Sequence, residues 1–180
     1  MKPTILGIII VLALIGAGAI FYGGSAFSPE PASPVVQTYS NDAYGMSFSY
    51  PVGYLLTEES GEGSYHITLI REEDAVPVVA GGEGPTAITI DIYDLDEGAN
   101  AVDWMTSSPN SNFGLGPKTY EGRAVSGIDA AQYAWSGLYE GMTTALSHEG
   151  RVYAISVTYL SPTDAIRTAY EEVLDSFYLR

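Results

Sequence analysis

The sequence predicts an α+β domain, an antiparallel sheet packed by helices, behind an N-terminal transmembrane helix. Three observations lead there. Apolar residues alternate with polar ones in at least five segments, the period of a sheet with one covered face. Near the C-terminus, apolar residues recur at helical spacing behind a helix-start signal. The first two dozen residues are apolar and almost uncharged.

That N-terminal run comes first. Thr4 to Tyr22 carries no charge, and only Thr4, Gly7, Gly16 and Gly18 interrupt its apolar residues. A helix of this length rises roughly 28 Å, close to the thickness of a bilayer core. Residues 1–23 read as a signal-anchor ending at the interfacial aromatic pair Phe21-Tyr22. The other reading is a cleaved signal peptide, with Lys2 before an apolar Ile5–Ile15 and small residues at Gly24-Ser25-Ala26. As an anchor, residues 4–22 hold the chain in the membrane with the N-terminus cytoplasmic; after cleavage the domain is secreted; in both readings the acidic remainder lies outside the cytoplasm. Residues 24–38 read as a Pro/Ser-rich spacer, since Pro29, Pro31 and Pro34 oppose a helix and favour extended chain.

From residue 39 to 180 the chain reads as one domain. Met46, Phe48 and Tyr50 alternate with serines until Pro51. Tyr65, Ile67 and Leu69 form a second set, and Ile88, Ile90 and Ile92 a third. Ala131, Tyr133 and Trp135 form a fourth, and Tyr153, Ile155, Val157 and Tyr159 a fifth. Strands at 142–148 and 151–160 flank His148-Glu149-Gly150-Arg151, where Gly150 can supply the positive φ of a hairpin turn. A further strand is expected near 118–126, with Gly122 as a bulge or turn. Ser161-Pro162-Thr163-Asp164 predicts a helix start with Ser161 at the cap; Ile166, Tyr170, Val173, Leu174 and Phe177 follow on one face. A shorter helix is predicted around Ala99–Met105, and residues 107–117 read as a loop.

Composition narrows the function. Twenty-two acidic residues against 7 basic give a net charge of −15, and only Lys2 falls in the first 27 residues. Such a chain lacks the clustered Lys and Arg that nucleic acid requires, so no nucleic-acid partner is expected. With no cysteine, disulfides, thiolate metal sites, a Cys nucleophile and a lipid-modified N-terminal Cys are excluded. His66 falls on the polar face of a predicted strand and His148 at a hairpin turn; surface positions account for both. Gly81-Gly82-Glu83-Gly84 and Gly114-Leu115-Gly116 lack the flanking residues that cradle phosphate and read as loops, as does the charged Glu72-Glu73-Asp74.

The acids Asp91, Asp94, Asp96 and Glu97, followed by Gly98, are the one candidate for a metal-dependent hydrolase or a Ca²⁺-binding module. Their spacing departs from an EF-hand: the glycine falls one place early and position twelve is Met105. The favoured reading is a solvated strand end running into a helix N-terminus, where the helix dipole favours acids. No residue is therefore assigned a catalytic, cofactor-binding or metal-ligating role. Fourteen tyrosines are the remaining oddity. Tyr50, Tyr65, Tyr133, Tyr153, Tyr159 and Tyr170 fall on apolar faces and read as core, whereas an exposed tyrosine cluster would suggest a binding surface.

Three motifs resemble those of PsbP-like domains. Tyr44-Gly45-Met46-Ser47-Phe48-Ser49-Tyr50-Pro51 resembles the family's opening strand, Gly150-Arg151-Val152-Tyr153-Ala154-Ile155 its Gly-(Lys/Arg)-x-Tyr strand, and Asp175-Ser176-Phe177 its terminal helix ending in Ser-Phe. The resemblance covers roughly residues 39–180 and departs at Gly53-Tyr54, where the family usually has a Trp. It implies an α/β/α sandwich without enzymatic activity that serves binding or assembly; the best-known members help organise photosystem II. The resulting expectation is a non-enzymatic, membrane-tethered extracytoplasmic domain with a protein or cell-envelope partner.

Overall fold

The computed structural model describes residues 35–75 and 83–180. The predicted membrane segment, and the spacer as far as residue 34, lie outside them. No helix among the described residues is long and apolar enough to cross a membrane.

In chain order the elements are β1 (Val36–Asn41), β2 (Met46–Pro51), β3 (Tyr54–Gly61), β4 (Ser64–Arg71), β5 (Ile88–Asp94), α1 (Ala101–Ser107), β6 (Glu121–Val125), β7 (Ile128–Ser136), β8 (Glu140–His148), β9 (Arg151–Tyr159), α2 (Ala165–Ser176) and β10 (Tyr178–Leu179). Short 3-10 turns occupy Glu72–Asp74 and Asn112–Leu115. Seven strands form one sheet in the order β3-β4-β5-β9-β8-β7-β6, and β1-β2-β10 form a second. Every pairing is antiparallel.

Alternation decides which layer each side chain joins. Ile67, Leu69, Ile88, Ile90, Ile92, Tyr153, Ile155 and Val157 point to one face of the large sheet. There they meet Ile166, Tyr170, Val173 and Leu174 of α2, and Met46, Phe48 and Tyr50 of the small sheet. The opposite face has a smaller core, Ala131, Tyr133, Ala145, Val152 and Ala154 beneath Ala101, Trp104 and Met105 of α1. The alanines let α1 sit close, and Trp104 fills the space over them. The predicted α+β sheet packed by helices is what forms.

The helices are set by their ends. Asn100 caps α1: its side chain accepts from the Val102 and Asp103 amides, and Asp103 returns a bond to the Asn100 amide, a complete capping box. At α2 the cap is Asp164, which accepts from the Ile166 amide at 3.3 Å, and not Ser161. Ser161, Pro162 and Thr163 form the turn before it, because the Ser161 hydroxyl is engaged locally with Thr163. The other end of α2 explains the Ser-Phe motif. Ser176 Oγ accepts the Ser49 amide of β2 at 2.9 Å, and Phe177 packs 6.3 Å from Phe48 and 6.1 Å from Tyr153.

Residues 36–38, read from sequence with the spacer, form the first half of β1, where Val36 pairs with Pro51. They follow the prolines and are free to extend. Gly122 is no bulge; it pairs regularly with Ala131, and the β6–β7 reversal falls on Ser126-Gly127, both at positive φ. Glu149 (φ 49°) and Gly150 (φ 73°) make the expected β8–β9 hairpin turn.

All six tyrosines assigned to the core are buried. Burial pushes the hydroxyl pKa up at Tyr65, Tyr133, Tyr153 and Tyr170, and at half-buried Tyr93 to about 12. Unfolded tyrosine titrates near 10. Above that pH the unfolded chain releases protons that the folded chain retains, so stability falls as pH rises from about 10 towards 12. Urea unfolding at about pH 9, 10 and 11 should give steadily lower unfolding free energies; a flat profile would contradict the burial of these hydroxyls.

Candidate functional site

The acids singled out by sequence do not gather into one ligand set, although Asp94 and Asp96 border the same hollow. Asp91 and Asp94 are three residues apart in β5, so alternation sends them to opposite faces. Asp91 Oδ1 lies 2.7 Å from His66 Nδ1, and its Oδ2 accepts from Thr89 Oγ1 at 3.1 Å. Asp94 is exposed, 3.6 Å from Arg151 Nε. Asp96 and Glu97 are exposed in the turn that Gly98 closes at φ 82°. Among the described residues no three His, Asp or Glu side chains are grouped as metal ligands. Arg71 gathers the second acidic group, 2.7 Å from Asp74 and 3.6 Å from Glu73. His148 Nε2 lies 2.8 Å from the Arg180 carbonyl at the hairpin rim. Gly81 and Gly82 lie outside the described residues. Gly116 packs under the Ala134 carbonyl, which a side chain there would strike.

A cleft of about 710 Å³ opens between α2 and the turn joining β2 to β3. Pro51, Val52, Tyr54, Ala165 and Ala169 supply apolar lining, and Glu72, Glu73 and Glu172 supply negative charge. Arg71 also lines it, already engaged by its carboxylates. A second hollow of about 320 Å³, lined by Val36, Ser49, Glu172, Asp175 and Ser176, shares Glu172 and extends the groove along α2. Beside it Val35, Val36 and Val52 are 70%, 46% and 51% exposed. They are contiguous, because Val52 N–H donates to the Val35 carbonyl and Val36 pairs with Pro51. Exposed apolar side chains grouped at the lip of a concave surface make this cleft the candidate binding site. Sequence reasoning missed this site, since its parts come from residues more than a hundred positions apart.

Several tyrosines do meet, and they tie the two sheets together. Tyr39 and Tyr65 place their hydroxyls 3.0 Å apart, and Asn41 Nδ2 donates to both at 3.1 Å. Tyr65 donates to Glu58 at 2.6 Å. Tyr44 stacks on Tyr65 with ring centres 4.5 Å apart, under the Arg151 guanidinium at 5.2 Å. Tyr153 donates to the Tyr44 carbonyl at 2.9 Å. This network clamps the β1–β2 hairpin onto β4 and β9. Its engaged hydroxyls are structural, which answers the question that the tyrosine count raised.

No family model matches the sequence, and no curated protein matches it. Solved structures do. The fold is similar to that of cyanobacterial PsbP (CyanoP) from Synechocystis, with a TM-score of 0.55 at 14% identity, over 87% of this chain and 100% of that one. It is also similar to the Ran-binding protein Mog1p of Saccharomyces cerevisiae, with a TM-score of 0.50 at 10% identity, over 82% of this chain and 96% of that one. At such identities the likeness is one of fold. It agrees with the PsbP-like architecture that the three sequence motifs implied.

Proposed function

We propose that this chain is a membrane-tethered, extracytoplasmic binding or assembly domain whose protein or cell-envelope partner seats in the cleft beside α2. The observation that carries it is the cleft itself, with an apolar floor, an acidic rim and exposed valines at its lip. Two further observations support the reading. The fold is shared with a PsbP protein and with a protein described as Ran-binding. The uncharged stretch from Thr4 to Tyr22 and the prolines of the spacer suit an anchor and a tether.

The full-length chain should recover a partner from solubilised membranes of its own cells. Val52→Asp places a charge at the lip and should weaken that recovery at least about tenfold. Ala124→Asp, on exposed β6, should leave it intact. Undiminished recovery by Val52→Asp would move the site elsewhere. Protease added to intact cells should remove the acidic domain; complete protection would contradict the topology.

A further inference from the structure

On the sheet face opposite the α2 cleft, three side chains form a hydrogen-bonded line. Asp91 Oδ1 is 2.7 Å from His66 Nδ1, and His66 Nε2 is 3.0 Å from Ser64 Oγ. With Nδ1–H donated to the carboxylate, Nε2 is the free base and accepts the Ser64 O–H. A second bond, from Thr89, fixes the carboxylate. The strands make this arrangement for simple reasons. Ser64 and His66 are two apart in β4 and share a face, and Asp91 is the direct partner of His66 on β5. Tyr93 stands edge-on to the imidazole at 5.7 Å and limits its rotation.

Two independent features distinguish this line from a chance polar contact. The first is Gly61, paired with Ser64 across the β3–β4 hairpin. A Cβ at Gly61 would lie 2.5 Å from Ser64 Oγ, so the glycine leaves the room in which that hydroxyl reaches His66. The second is a cavity of about 480 Å³ that has Ser64 in its wall. Tyr93, Leu95 and Trp104 give it an apolar side, and Glu62, Asp94 and Asp103 are among the acids around it.

We propose that Ser64, His66 and Asp91 form a nucleophile–base–orienter relay that hydrolyses an ester or amide whose acyl or leaving group carries a positive charge. The roles follow from the geometry. Ser64 Oγ attacks the carbonyl carbon while its proton passes to His66 Nε2. The bond from that carbon to the leaving oxygen or nitrogen then breaks, and His66 returns the proton to the departing group. Water attacks the acyl-Ser64 ester, His66 takes the water proton, and Ser64 regains it as the acid leaves. Asp91 holds the imidazole tautomer and stabilises the transient imidazolium. The Glu62–Gly63 turn borders the same cavity, beside Ser64. The acids select a cationic substrate, because an anionic one would be repelled. This activity is independent of the α2 cleft.

The test is covalent labelling of the full-length chain with a fluorophosphonate carrying a trimethylammonium tail. Ser64 Oγ displaces fluoride from phosphorus and keeps the adduct, which peptide mapping locates. The expected result is one adduct, on Ser64, absent in Ser64→Ala. Labelling should slow at least about 100-fold in His66→Gln. The His66–Asp91 pair is partly exposed, at 32% and 25%, so His66→Gln should still fold cooperatively, which thermal melting checks before labelling. Gly61→Ala should also suppress labelling, by displacing the hydroxyl without touching the base. Wild-type chain that gains no adduct on Ser64 overturns the proposal. So does a folded His66→Gln that labels at the wild-type rate.

Discussion

Replacing Tyr170 with alanine is expected to lower the unfolding free energy by about 3–5 kcal/mol, the range for removing a buried aromatic side chain. Tyr170 is fully buried at the centre of α2, where that helix crosses the large sheet. Its ring fills the main core, and its hydroxyl ends a polar chain in an otherwise apolar layer. Gln132 Nε2 donates to Thr144 Oγ1 at 2.9 Å, and Thr144 and Tyr170 share a bond of 2.7 Å. Tyr170 in turn donates to the Ile155 carbonyl at 3.3 Å. One orientation of the hydroxyls satisfies all three contacts. Tyr170→Phe keeps the ring and leaves the buried Thr144 hydroxyl short of an acceptor, so it should cost about 1–3 kcal/mol. Urea unfolding of the two variants separates packing from polar satisfaction. Equal losses would mean that the ring contributes little, against the packing described.

Gly141→Ala is the second large effect, expected at about 1–3 kcal/mol. Gly141 lies in β8 directly opposite Trp135 of β7, and the indole lies flat across it. A Cβ at 141 would approach the indole carbons to 2.3 Å, so the ring must move. Trp135 cannot move freely, because its Nε1 donates to Thr143 Oγ1 at 2.9 Å, and Thr143 is bonded to Ser156 at 2.9 Å. Displacing the indole breaks this link and exposes the half-buried ring further. Thermal melting should show the loss, and tryptophan emission should shift to the red. An unchanged spectrum with unchanged stability would mean that the indole does not rest on Gly141.

Much of the fold was legible because one physical signal, alternation, acts over short distances. The strands around Phe48, Ile67 and Ile90 each bury every second residue, and β9, covered on both faces, still alternates large apolar residues with smaller ones through Tyr153, Ile155 and Val157. The helix α2 announces itself through its capping turn and apolar face. The elements that escaped notice are those whose side chains do not alternate in burial. Six of the eight residues of β3 are exposed, with Glu58, Glu59 and Ser60 consecutive, so nothing in the sequence separates it from a loop. The first strand, β1, is an edge strand, largely exposed and adjacent to prolines. Two-residue β10 exists only because Ser176 and Phe177 deliver the chain end to β2.

The sites were less legible, for a different reason. Sequence picks out residues by local density, which is why the acids from Asp91 to Glu97 drew notice; in the fold Asp91 pairs with His66 while Asp94, Asp96 and Glu97 lie exposed at the strand end and the turn after it. Groups that do converge come from distant segments. Arg71, Val52 and Glu172 meet in the α2 cleft only after β2, β4 and α2 are packed. The partnership of His66 with Asp91 depends on the register of β4 against β5, which no local pattern reveals. A signal for Ser64 was present: a serine two residues before a histidine, just after a Gly-containing turn. It gains meaning only once the strand register is known.

The cleft is tested most directly by photo-crosslinking in intact cells, with the full-length chain carrying a photoreactive residue at Thr168. This position is exposed on α2 and lines the groove. The same residue placed at Asp129, exposed on β7, serves as the comparison. A binding domain that uses this groove gives a discrete adduct with one partner from position 168 and none from 129. Absence of an adduct at 168, or the same adduct from both positions, would contradict the assignment.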